Sequence, residues 1–158
     1  MTLTEDMKDL LALLERHRVA YAVIGGFAVN YYGYPRLTQD FDILVVPSDD
    51  NARRVLAALE EFGFGRVGLP ADFLAREGAA LHMGVEPNRI DLLTSVLGVA
   101  SDEVVRRARF VDVDGVRFRL ISRDDLIASK RASKRARDLA DAEELSVLEE
   151  APWGTADS

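Results

Sequence analysis

The chain has 158 residues, 48% hydrophobic and 30% charged, an ordinary globular balance that excludes a disordered or fibrous chain and a large multidomain enzyme. It contains no cysteine, which excludes a disulfide framework, a thiolate zinc site and a cysteine nucleophile, and a cytoplasmic address is expected. The net charge of −7 hides an asymmetry: residues 106–137 carry 11 bases against 4 acids, and the remainder carries 9 bases against 23 acids. That basic stretch reads either as solvated strand and helix faces or as a wall turned towards phosphate. No apolar run approaches the roughly 20 residues that span a bilayer. The acid-studded start from Met1 to Arg18 lacks the basic head and apolar centre of an export signal, so no membrane partner is expected.

Along the chain the pattern is α+β. Thr4 caps an amphipathic helix over residues 5–17, in which Leu10, Leu11, Leu13 and Leu14 recur at helical spacing. Tyr21 to Ile24 reads as a buried strand, interrupted by Gly25-Gly26 and followed by a short helix through Tyr31 that Gly33 and Pro35 stop. Gln39 to Val46 is a second strand, and its apolar end Ile43 to Val46 belongs inside a sheet. Ser48 caps a helix that runs to about Glu61 and ends at Phe62-Gly63. Weaker strand signals cover residues 64–67, 79–85 and 89–93, with Pro87-Asn88 as the turn between the last two. A helix over 102–108 precedes strands 110–113 and 116–120, which flank Asp114-Gly115, the strongest short hairpin signal in the chain. Ser122 with Asp125 launches a helix through about Arg131, a last helix spans 137–149, and a loose tail follows from Ala151. These elements make one domain over residues 1–150, with a sheet core at about 19–121 and C-terminal helices packed against it.

The chemistry centres on three acids and two glycines. Asp40 and Asp42 alternate with Phe41, so their side chains leave one strand face about 7 Å apart at the backbone, within reach of a single ion. Two aspartates at the head of so apolar a strand set propensity against burial, which points to a site; the alternative is an edge strand whose acids block aggregation. Asp91 alternates with Ile90 and Leu92 and becomes the third carboxylate if its strand neighbours that of Asp40; otherwise it is a surface acid beside Arg89. Three converging carboxylates repel one another, and a hard divalent cation relieves that repulsion. Gly25-Gly26, between strand and helix, allows backbone N–H groups to approach an anion, although for such a pair taken alone a tight turn without a ligand is the commoner explanation. Neither His17 nor His82 has zinc or triad spacing, and no serine-hydrolase motif occurs.

The run Ile24-Gly25-Gly26-Phe27-Ala28, followed by Arg36-Leu37-Thr38-Gln39-Asp40-Phe41-Asp42-Ile43, resembles the signature of the nucleotidyltransferase superfamily, whose fold is shared with DNA polymerase β. Within that superfamily it is most similar to AbiEii-type toxins and minimal nucleotidyltransferases of bacteria. Leu126 to Lys130 and Arg135 to Asp141 resemble the family's lysine helix and its continuation, so the likeness touches residues 23–46, 88–93 and 122–145. The resemblance implies a nucleotidyltransferase fold, a small mixed sheet flanked by helices. It implies Asp40, Asp42 and Asp91 as catalytic ligands of Mg2+ or Mn2+, and Gly25 and Gly26 as phosphate contacts. Lys130 would meet a nucleoside triphosphate substrate, Arg36 and Thr38 would shape the pocket edge, and Lys134 would add a further base beside the nucleotide. Relatives usually carry glycine where Lys134 stands and proline where Ala136 stands, so the break between the last two helices is weakly marked. An unbroken helix would align Lys130, Lys134 and Arg137 with Asp141.

The activity implied is transfer of a nucleoside monophosphate to a protein or RNA acceptor, with a cognate toxin or antitoxin as a possible partner. Transfer to a small molecule such as an antibiotic, and nucleotide sensing without turnover, are the alternatives.

Overall fold

The structure is a computed structural model and describes residues 2–33, 40–64, 68–85 and 88–147. The two most apolar runs form the centre of its sheet. Strand β1 (Tyr21–Ile24) is buried throughout, and β2 (Asp40–Val45) becomes fully buried from Ile43 onward, as continuous hydrophobic runs require. With β3 (Ala80–Met83), β4 (Arg89–Leu93), β5 (Arg109–Val113) and β6 (Val116–Leu120) they make one sheet in the order β3-β4-β2-β1-β6-β5. The β2–β4 and β1–β6 pairs are parallel and the other three antiparallel, a mixed α+β arrangement.

Among the described residues the helices are α1 (Glu5–Arg16), α2 (Gly25–Tyr31), α3 (Asp49–Phe62), α4 (Ser101–Arg107), α5 (Arg123–Ser133) and α6 (Ala136–Val147). The predicted caps are made. Thr4, Ser48 and Ser122 side chains accept from Met7 N, Asn51 N and Asp125 N at 3.2, 3.1 and 3.2 Å. Helices α1 and α3 pack together, α2 lies on β1 and β2, and α5 packs on α6 and reaches α2. Phe27 of α2 meets Phe41 and Phe118 edge-on, with ring centroids 5.2 and 6.0 Å away, tying the helix to the sheet face opposite Asp40 and Asp42. Buried Asn51 joins α3 to the sheet: its amide accepts from Ala20 N at 2.7 Å and donates to Ala20 O and Val46 O at 3.0 and 2.9 Å.

Several boundaries move. The second helix starts at Gly25 itself, with no intervening turn; β3 is shorter than the predicted strand, and α4 ends at Arg107. A 3-10 turn at Phe73–Ala75 was not expected from the sequence. The predicted strand at 64–67 lies largely outside the described residues, as do Pro87 and the tail from Ala151. The hairpin at Asp114-Gly115 is as expected, both residues having positive φ (52° and 81°). The break between α5 and α6 is present although the usual glycine and proline are not. Lys134 caps α5 in the left-handed conformation, φ 60°, which a side chain disfavours and glycine does not.

Candidate active site

Pairing of β2 with both neighbours assembles the acids. The antiparallel β1–β2 ladder sets Ile24 opposite Asp42, so the backbone leaving β1 passes directly beside that carboxylate. The parallel β2–β4 ladder sets Asp42 opposite Asp91 and Asp40 opposite Arg89. Partners in a ladder share a sheet face, so the two aspartates meet side by side. On the far side of β4, His82 of β3 is opposite Asp91, and its Nδ1 lies 2.7 Å from Asp91 Oδ1.

Gly25 lies directly against Asp42. Its φ is +71°, and a Cβ placed there would sit 2.3 Å from Asp42 Oδ2 and 3.1 Å from Asp42 Cβ and Cγ. Only glycine fits both the left-handed conformation and the space. Gly26 follows, half-buried, in the first turn of α2.

The site carries an excess of negative charge in a confined place. Burial pushes the Asp42 carboxyl up, and the Asp91 and Asp40 charges together with a hydrogen bond to Asp91 push it further, to about 7, against the pull of Arg89. Arg89 spans the other two acids: Nη2 donates to Asp40 Oδ2 at 3.0 Å and to Asp91 Oδ2 at 3.1 Å, and Nε lies 3.1 Å from Asp91 Oδ1. With the side chains so placed, no group of three or more His, Cys, Asp or Glu residues among the described residues is arranged to hold a metal ion. The donors nonetheless suit a hard cation chemically. They are carboxylate oxygens on adjacent strands, and in this arrangement the compensating positive charge comes from Arg89.

Asp42 and Gly25 open into a cleft of about 270 Å3 whose other wall is α5 and the start of α6, including Ser129, Lys130, Ser133, Arg135 and Asp138. Lys130 Nζ is held by Asp138 Oδ1 at 3.1 Å and Asp141 Oδ2 at 3.3 Å, a clasp across the α5–α6 break. Burial acts to raise the Asp138 carboxyl, but hydrogen bonds from Ser133, Lys130 and Arg135 outweigh it and hold the group at about 2. The loop Ser95 to Leu97 completes the rim, and Gly98 is wedged against α5, where a Cβ would meet Ala132 Cβ at 2.6 Å.

The structure therefore brings Asp42, Asp91 and Gly25 into contact, links Asp40 to Asp91 through Arg89, and faces Asp42 with Lys130 across the cleft. Lys134 is exposed at the helix break and does not line the cleft. Arg36 and Thr38 lie outside the described residues. The basic stretch 106–137 does not form one wall. Arg107 is bonded to Asp125, Arg117 and Arg119 flank Phe110, and Arg135 is bonded to Asp138. Sequence reasoning set Arg89 beside Asp91 only as a surface neighbour and missed its reach to Asp40, and it missed His82 altogether. Arg89 meets Asp91 two residues along the same strand face, whereas the ladder registers bring Asp40 and His82 to the same place.

Comparison with known proteins agrees with this fold. A solved structure from Thermotoga maritima, described as a "putative nucleotidyltransferase", superposes with a TM-score of 0.55 at 15% identity, covering 87% of this chain and 86% of that one. At that identity the likeness is one of fold. No curated protein matches the chain. The model of the family described as "Nucleotidyltransferase of unknown function (DUF6036)" matches residues 1–157, and the chain is a member of that family.

Proposed function

We propose that this protein is a metal-dependent nucleotidyltransferase that moves a nucleoside monophosphate from a nucleoside triphosphate to a protein or RNA acceptor. The observation that carries the reading is the pairing of Asp42 with Asp91 across parallel strands, against Gly25 and at the mouth of a cleft walled by Lys130. In this reading Asp40, Asp42 and Asp91 would hold Mg2+ or Mn2+, which would supply Lewis-acid activation of an acceptor hydroxyl and neutralisation of triphosphate charge. The remaining roles belong to the chain's own groups. Gly25 leaves room for Asp42 and, with Gly26, admits phosphate oxygens close to the backbone. Lys130 has three N–H donors, two of them directed to Asp138 and Asp141, which leaves one for a phosphate oxygen. The protein acts chiefly by positioning charge around an in-line displacement.

The resemblance to AbiEii-type proteins extends the proposal to a role as one half of a toxin–antitoxin or phage-defence pair. The test is incubation of the protein with α-labelled triphosphates, Mg2+ and a cell extract. Label on RNA or protein supports the proposal. Label on an added antibiotic assigns the activity to small-molecule modification, and triphosphate binding without transfer assigns nucleotide sensing.

A further inference from the structure

We infer that Arg89 is a built-in counter-cation for the acidic site, occupying the place of positive charge until a divalent ion displaces it, and thereby setting the metal concentration at which the site becomes competent. The inference rests on the proposed metal-dependent function and concerns how that site is regulated. Its basis is geometric. Arg89 lies two residues before Asp91 on β4 and opposite Asp40 on β2, so the ladder alone delivers its side chain between the two carboxylates. Its planar fork then reaches both, at 3.0 and 3.1 Å from Nη2, with Nε 3.1 Å from the second Asp91 oxygen. Asp91 is buried and receives His82 from its other side, so both of its oxygens are engaged by side chains of β3 and β4. A metal ion that takes an Asp91 oxygen as ligand competes with these bonds.

Arg89 is here a positioning residue. It holds the acids together without an ion and is not itself required by the ion. Loss of its charge has two opposed consequences that a merely structural role does not produce. The metal-free protein becomes less stable, because neighbouring carboxylates lose their compensating charge, while affinity for a cation rises. A unit charge removed from the vicinity of a divalent ion is worth at least about tenfold in affinity, even with strong solvent screening.

The experiment is calorimetric titration of the full chain with Mn2+ alone, without nucleotide, for the wild type, Arg89→Gln, Arg89→Lys and Asp42→Asn, with thermal melts of each protein with and without saturating Mn2+. The expected result is Mn2+ binding by the wild type, tighter binding by at least about tenfold in Arg89→Gln, and loss of binding in Asp42→Asn. The melting temperature of Arg89→Gln is expected to fall without Mn2+ and to recover with it. If Arg89→Gln does not fold, Arg89→Lys takes its place; it keeps the charge but cannot span both acids, and is expected to bind Mn2+ more tightly than the wild type by a smaller factor. Equal or weaker binding in the folded Arg89 variants, with the wild type binding and Asp42→Asn not, overturns the role of Arg89 alone. Absence of Mn2+ binding in every protein overturns the metal reading, and this inference with it.

Discussion

Replacing Gly25 with alanine should damage transfer far more than stability. The new Cβ would lie 2.3 Å from Asp42 Oδ2, and an ordinary contact needs at least about 3 Å, so the carboxylate must move by roughly 0.7 Å. It moves against its own Cβ and Cγ, both 3.1 Å from the intruding methyl, and leaves its preferred rotamer at about 1 kcal/mol. Holding alanine at φ +71° adds about 1–2 kcal/mol. The sum, about 2–3 kcal/mol, corresponds to a fall in Tm of roughly 5–10 °C for a chain of this length. With Asp42 in its proposed catalytic role, a shift of that size is expected to cost about a hundredfold in rate. Gly63→Ala is the matched control. Gly63 also has positive φ, +104°, but a Cβ there meets nothing within 4 Å, so strain is added with no displacement of Asp42. Thermal melts and transfer rates of the two variants, measured side by side, should show a smaller destabilisation in Gly63→Ala, from the backbone strain alone, and loss of transfer only in Gly25→Ala. Equal transfer by both variants refutes the argument that the Gly25–Asp42 contact positions the site.

Asp42→Asn should make the metal-free protein more stable at high pH. The folded carboxyl, at about 7, lies above its ordinary value of 3.8, so the stabilisation of its protonated form is complete below about pH 4 and is lost as pH rises through 7. Asparagine has no such dependence, so its advantage in Tm should open between pH 4 and 7 and then level off, at an order of 1–2 kcal/mol after screening; a gap that is constant with pH contradicts the assignment. Lys134→Gly should raise stability by about 0.5–1 kcal/mol, seen as a higher Tm, because it relieves a left-handed side chain at the α5 terminus. Asn51→Ala should cost about 3 kcal/mol by denaturant unfolding, since it strips buried bonds from Ala20 N, Ala20 O and Val46 O together. Asp138→Asn should destabilise by about 2–3 kcal/mol at neutral pH, because it removes one of two anions that hold Lys130.

Much of this arrangement is legible in sequence because it is local. The alternation in Asp40-Phe41-Asp42 and in Ile90-Asp91-Leu92 assigns faces, the caps at Thr4, Ser48 and Ser122 assign helix starts, and Asp114-Gly115 assigns the hairpin. What a sequence does not carry is register between strands far apart in the chain. The meeting of Asp42 with Asp91, and the fit of Gly25 against Asp42, depend on ladders joining β1, β2 and β4. The same is true of the reach of Arg89 to Asp40 and of His82 to Asp91, which need β2 and β3 set against β4. The clasp of Lys130 on Asp138 and Asp141 depends on the turn at Lys134, whose backbone conformation its residue type does not announce. Propensity is a local quantity, and here tertiary packing overrides it.

The most direct measurement of the central claim is anomalous diffraction from crystals of the protein soaked with Mn2+ and a non-hydrolysable nucleoside triphosphate. The expected result is a Mn2+ peak within coordination distance of carboxylate oxygens from both Asp42 and Asp91, with triphosphate oxygens completing the shell and the Arg89 guanidinium withdrawn from Asp91. A triphosphate bound with its metal away from these aspartates contradicts it.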